Sequence, residues 1–359
     1  MAQTSDAGHP IHLSPSELGT KEYWETFYSR TLTHISSKHN PSTPGGPNPN
    51  SGRNSDDPDH AAGLDDDNAS EEDDDDEDDY NADSDPGTSW FSEHNAPQKV
   101  LGFLTREGFP LAPCNTLPST SARRRRARAM KKLSEQERHS QPSVLDLGTG
   151  NGSMLALLRK RGRFWGDMVG VDYSAKSVEL ARELQESKRH EAYQSDSDSD
   201  ESDLGSETGA QDGAGGGQAE ELEEWEDIRF EEWDILRSGD DLRAKKLDWF
   251  PYEKGGFDIV LDKGTFDAVS LMAEKSECER YPGIAGSLVR KGGFFVVTSC
   301  NWTEEEIVRW FTTSTSTTST GDTVSEAAKL VVWGRVQYPR FRFGGQEGQG
   351  VCTVCFQRV

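Results

Sequence analysis

The chain has 359 residues, 32% of them hydrophobic, and a formal charge of −25. That acidity is local: seventeen acids and no Lys or Arg lie between Asp56 and Asp85, thirteen acids and again no base between Asp196 and Asp227, and the balance elsewhere is about +5. No run approaches the roughly 20 apolar residues of a membrane span, and the start, MAQTSDAGHP, has no apolar leader core, so a membrane or secreted protein is excluded as an expectation.

From the N-terminus, EYWETFYSR sets Tyr23 with Phe27 and Trp24 with Tyr28 at i, i+4 spacing, which predicts a helix within an ordered segment 14–35. Residues 36–87, acidic and rich in Pro and Gly, hold too little apolar surface to offset the entropy of ordering and read as disordered. SWFSEHNAPQKVLGFL restores order over 88–112, and 115–140, with ARRRRARAMKK, reads as a basic connector, either solvated or used for localisation.

From 141 to 359 short apolar runs alternate with helical patterns, interrupted by a second acidic insert, 190–222, also expected to be disordered. SVLDL leads through three glycines to SMLALLRKRG, and DMVGVDYS leads to AKSVELARELQES. IRFEEWDI and GFDIVLDKG come next, then a helical stretch expected to stop at Gly292 and Gly293. FFVVTS precedes NWTEEEIVRWF, where Thr303 and Glu306 have capping-box spacing. LVVWGRVQYP and GVCTVCFQRV flank the turn-rich RFRFGGQEGQ and read as a hairpin. The sum is an α/β fold with a seven-stranded, mostly parallel sheet whose last strand returns antiparallel.

Five cysteines, an odd number, fit a reducing compartment. Cys352 and Cys355 form a CxxC, but on a strand positions three apart face opposite sides, so they read as core cysteines and no metal is expected. SDSDSDESD sets serines among acids, either as a phosphorylation segment or as a passive linker.

The chemistry is concentrated in SVLDLGTGNG. A strand, a glycine turn (Gly148, Gly150, Gly152), a helix and a second strand ending in Asp172 form a nucleoside-binding pattern, since a carboxylate at that place accepts from both hydroxyls of a ribose. A dinucleotide needs GxGxxG and room for pyrophosphate on the helix N-terminus. Here an acid, Asp146, stands just ahead of the first glycine, which repels pyrophosphate and suits a cation. S-adenosylmethionine carries an ammonium and a sulfonium and no phosphate, so it is the expected cofactor. Asp234 falls after the third strand, either accepting from the adenine amino group with Trp233 or Ile235 against the ring, or standing as a solvated acid.

A base-amine methyltransferase would carry an Asn/Asp-Pro-Pro-aromatic turn after strand four, where this chain has LDKGTFDA, and the folded part shows no basic surface interleaved with aromatics. Nucleic acid is therefore not expected as a partner. SELGTKEYWETFYSR, VLDLGTGNGSML, VGVDYSAKSVELA, LDKGTFDAVSL, GGFFVVTSCNWTEEEI and FRFGG together resemble the seven-strand, class I lysine methyltransferases that act on translation elongation factor 1-alpha. The resemblance implies S-adenosylmethionine as donor, a lysine of that factor as acceptor, a cytoplasmic location with the nucleus left open, and a cap over the cofactor made of 14–35, Trp24 included, continued by 88–112. It departs from the compact family pattern in the long inserts.

Direct displacement at a methyl carbon needs a neutral amine in an apolar, aromatic-walled cleft. The candidates for that cleft are Asp262, Thr265 and Phe266 after strand four and Asn301 and Trp302 after strand five, with holding the loops in place as the competing role. Three alternatives stay open: a non-catalytic docking module whose acidic arms meet basic partners, a methyltransferase for another protein, and a dehydrogenase. A monomer is expected.

Overall fold

The computed structural model describes residues 12–39, 91, 94–117, 139–188, 193, 228–237, 239–313, 328–343, 346–348 and 350–359. Most of the two acidic inserts, most of the basic connector and the serine–acid run lie outside the described residues.

β1 (Val144–Leu147) is the strand from which the chain departs in both directions. It continues through α3 (Ser153–Lys160) to β2 (Met168–Asp172), then through α4 (Ala175–Ser187) to β3 (Arg229–Glu232). The chain then crosses to the other side of β1, forming β4 (Phe257–Lys263), the helices α5 (Thr265–Ser270) and α6 (Lys275–Leu288), β5 (Val289–Ser299), α7 (Glu304–Thr312), β6 (Leu330–Val336) and β9 (Cys352–Arg358). Ahead of the sheet stand α1 (Lys21–His39) and α2 (Ala96–Thr105). The strand order is β3-β2-β1-β4-β5-β9-β6. The first five strands run parallel, while β9 is antiparallel to both β5 and β6. The expected seven strands and the antiparallel last strand are therefore present.

Alternation along the strands splits the core in two. Val144, Ile259, Leu261, Phe294, Val296 and Cys355 face α2 and α3. Leu145, Leu147, Val260, Phe295, Val297, Cys352 and Phe356 face α5, α6 and α7. Cys352 and Cys355 thus point to opposite faces, and no cluster able to hold a metal exists among the described residues. α7 begins with the expected capping box, Thr303 with Glu306. None of the helices described is long and apolar enough to cross a membrane.

Four details correct the expectations from sequence. α1 runs to His39, past the predicted boundary at 35. The helix expected to stop at Gly292 and Gly293 ends at Leu288, and β5 begins at once, because Arg290 pairs with Asp258 on the neighbouring strand and Gly293 packs on the Asp258 carbonyl. The turn-rich stretch between β6 and β9 is itself a ribbon, β7 (Phe341–Phe343) against β8 (Gln346–Gly348). α2 buries Val100, Phe103 and Leu104 against one sheet face, so it is a structural layer of the domain rather than a continuation of the cap.

Candidate active site at the carboxyl edge of the sheet

Because the chain leaves β1 on one side and returns through β4 on the other, the carboxyl ends of these two strands open a crevice, the place where open α/β sheets bind ligands. A cavity of about 630 Å3 lies there, within the usual range for small-molecule sites. Its floor is Leu147 to Gly150 on one side and Lys263 to Thr265 on the other; its walls are Asp172, Tyr173 and Trp233 to Arg237.

The glycine loop is built by backbone conformation. Gly148, Gly150 and Gly152 all have φ near +60 to +75°, a region that side-chain-bearing residues rarely adopt. Space is as restrictive as torsion: a Cβ on Gly148 would lie 2.2 Å from Thr265 Oγ1, and one on Gly152 2.6 Å from the Phe230 ring. Thr265 Oγ1 donates to the Leu147 carbonyl at 2.6 Å, so the loops after β1 and β4 are tied together. Beneath the loop, Asp146 is 2% exposed. Its Oδ2 accepts from Thr149 at 3.0 Å, and its Oδ1 has no partner among the described residues. Burial raises its pKa to about 6, against the pull of the Lys263 ammonium and the Thr149 hydroxyl.

Asp172 ends β2 as expected and lines the cavity. Its Oδ1 accepts from Ser174 N, and its Oδ2 from Gly150 N and Ser177 Oγ. A carboxylate has about four acceptor positions, so one remains. Burial raises its pKa. Trp233 and Asp234 both line the cavity. Asp234 Oδ1 accepts from Leu236 N and Arg237 N, an Asx turn that fixes the loop after β3.

A strap crosses above. Ser16 N donates to Leu271 O beyond α5, and Tyr173 OH to Thr20 O on the far side. Trp24 Nε1 donates to Leu18 O, and its ring stacks on Tyr28 at 6.0 Å. Both aromatics line the cavity, and the Tyr28 hydroxyl would lie 3.1 Å from a Cβ on Gly150. Glu25 accepts from Ala175 N and Lys176 N, capping α4 from a different helix. Sequence reasoning missed Tyr28, Tyr173 and Lys263, which line the cavity, and Glu25, which ties the strap to α4. Tyr28 was visible in the i, i+4 aromatic pattern, but nothing in the spacing says which ring reaches the loop.

The candidate catalytic set divides. Thr265 lines the cavity; Asp262, Phe266, Asn301 and Trp302 do not. Asp262, 1% exposed, accepts from Thr265 N and Phe266 N with Oδ1 and from Tyr281 OH with Oδ2. Burial lifts its pKa to about 7, partly opposed by those donors. It shapes the β4–α5 turn. Phe266 and Trp302 stack at 6.1 Å and pack with Trp310 and Phe311, so their rings are core rather than cleft wall. Alternation explains this: Asp262 shares the face of Val260, toward the α6–α7 layer, and α5 carries Phe266 into the same layer. Asn301 is exposed on the same carboxyl edge.

These features suit S-adenosylmethionine. A buried carboxylate with an unpaired oxygen, Asp146, lies beneath the glycine loop and outside the cavity lining, and the cavity that the loop floors has aromatic walls and a second carboxylate, Asp172. Residues 138–199, from ahead of β1 to beyond α4, match the family described as "Methyltransferase domain". Over 96% of this chain and 96% of the relative, the sequence is 29% identical to protein-lysine N-methyltransferase EFM4 of Saccharomyces cerevisiae. It is 28% identical to human EEF1A lysine methyltransferase 2, over 100% of this chain and 95% of that one, and 26% identical to protein-lysine N-methyltransferase efm4 of Schizosaccharomyces pombe, over 96% and 95%. The similarity takes in the strap as well as the sheet, and together with the methyltransferase-domain match it supports an S-adenosylmethionine-dependent enzyme of the protein-lysine methyltransferase kind.

Proposed function

We propose that this enzyme methylates a lysine of translation elongation factor 1-alpha. The observation that carries the substrate is near-full-length similarity to relatives named as protein-lysine methyltransferases, the human one named for EEF1A. When bound, the donor supplies a methyl carbon made electrophilic by its sulfonium. In this reading Asp146 faces the donor's ammonium through the loop, the free position on Asp172 takes a ribose hydroxyl, and Trp233 and Asp234 flank the adenine.

The acceptor lysine must arrive uncharged. With a pKa near 10.4, only about one side chain in a thousand is neutral near pH 7.4. Glu22, Asp234, Glu274 and Glu277 stand along the cavity and attract the cation. The apolar part of the lining, Trp24, Tyr28, Trp233 and Met272, disfavours a charge and so lowers that pKa. The proton passes to water or to one of those carboxylates. Thr265 is the one member of the candidate set in contact with the cavity; Asp262 positions it, with Phe266 and Trp302 supporting from the core. Asn301 is free to meet the protein substrate. The enzyme acts as a monomer on a protein, without nucleic acid.

The test in cells is intact-mass and peptide mass spectrometry of elongation factor 1-alpha from a host lacking this protein, complemented with wild type or Asp146→Ala. One lysine should lose its methylation on deletion and regain it only with wild type. An unchanged methylation pattern would rule the substrate out.

A further inference from the structure

Among the described residues the cavity wall holds three cations, and two of them are paired. Lys21 lies 3.4 Å from Glu232 and 3.9 Å from Glu25, and Arg237 3.5 Å from Asp234. Among the described residues the Lys263 ammonium has no carboxylate within salt-bridge distance and no hydrogen bond; it rests 5.7 Å from the Phe91 ring centroid. A lysine that lines a cavity and makes no ion pair is able to take an anion.

Sheet register says which anion. β1 and β4 are parallel neighbours, with Asp146 opposite Leu261 and Leu147 opposite Asp262. Side chains alternate with a period of two, so Lys263, two residues beyond Leu261, shares the face of Asp146 and flanks Gly148. Its charge is felt at the Asp146 carboxylate. Unlike charges on one face, on either side of the glycine loop, form a dipole that matches a zwitterion, an ammonium and a carboxylate on one carbon.

We infer that Lys263 is the anchor for the carboxylate of the donor's amino-acid group, paired with Asp146 for its ammonium. This rests on the reading of the cleft as the S-adenosylmethionine site and adds to it a positioning residue. The Phe91 ring holds the ammonium in place without neutralising it. A carboxylate held there fixes the torsions of the chain that leads to the sulfonium, so Lys263 sets where the methyl group points.

Two ligands separate this role from a general one. S-adenosylhomocysteine carries the amino-acid group; 5′-methylthioadenosine is the same nucleoside thioether without it. Affinities of both are measured by calorimetry on the full chain as wild type, Lys263→Met and Lys263→Arg. Lys263→Met should weaken S-adenosylhomocysteine by about 10- to 100-fold, the usual worth of a charge-assisted hydrogen bond, and leave 5′-methylthioadenosine unchanged, while Lys263→Arg restores most of the loss. Equal weakening of both ligands, or no loss for S-adenosylhomocysteine, overturns the inference. A shift of the methyl-transfer pH profile with unchanged S-adenosylhomocysteine affinity also overturns it, by giving Lys263 to the acceptor amine. If wild type binds neither ligand, the cofactor reading itself fails.

Discussion

At the scale of single residues, Asp146 and Gly148 carry the most testable chemistry. Asp146 titrates near 6 because burial opposes its charge, so in the free protein the carboxylate is lost as pH falls through that value. A donor ammonium needs the charged form. Affinity for S-adenosylhomocysteine should therefore fall below about pH 6, by at most tenfold per pH unit, and Asp146→Asn should bind weakly with a flat profile. An unaltered slope in that variant would assign the titration elsewhere. Gly148→Ala forces a Cβ onto Thr265 Oγ1 at a φ of +60°. It should cost about 1–3 kcal/mol of stability and break the Thr265–Leu147 tie, read by chemical denaturation with an S-adenosylhomocysteine titration beside it.

At the scale of elements, the strap and the β4–α5 turn act differently. The strap is fixed by a few bonds at its ends and by Trp24 and Tyr28 against the loop, and α1 packs on the outer face of α4 rather than on the sheet. Loosening it should release a local segment, not the domain. Trp24→Ala is predicted to weaken S-adenosylhomocysteine about tenfold or more while moving the thermal midpoint by only a few degrees; equal affinity in a folded variant would end the cap role. The turn is a buried titrating unit. Asp262 has a folded pKa of about 7 against 3.8 in the unfolded chain. Over that window the folded protein holds the proton and the unfolded chain does not, so this group's stability contribution is full below 3.8 and is lost as pH rises through about 7. An asparagine can accept from Thr265 and Phe266 and donate to Tyr281 without the charge. Asp262→Asn should therefore gain thermal stability relative to wild type as pH rises from about 4 to about 7. A constant difference would mean that Asp262 does not titrate there.

At the scale of the whole molecule, the sheet was legible because its strands are short apolar runs punctuated by glycines, and the acids at the ends of β1 and β2 fall where a nucleoside site needs them. What was hidden depends on contacts between distant segments. Phe266 and Trp302 look like cleft aromatics in sequence, and only the packing of α5 against α7 turns them inward. Lys263 and Asp146 are far apart in the chain, and only the β1–β4 register puts them on one face. Glu25 caps α4 from another helix, which no local pattern encodes. The −25 charge says little about this site, since its excess lies in two runs mostly beyond the described residues.

The central claim, methyl transfer to one lysine of elongation factor 1-alpha through the glycine-loop site, is tested most directly in vitro. Purified full-length protein is incubated with labelled S-adenosylmethionine and unmodified elongation factor 1-alpha, and label is mapped by mass spectrometry, with Asp146→Ala as control. The account predicts label on a single lysine, lost in the variant. Bound donor with no label on the factor would contradict it, and so would label that survives Asp146→Ala.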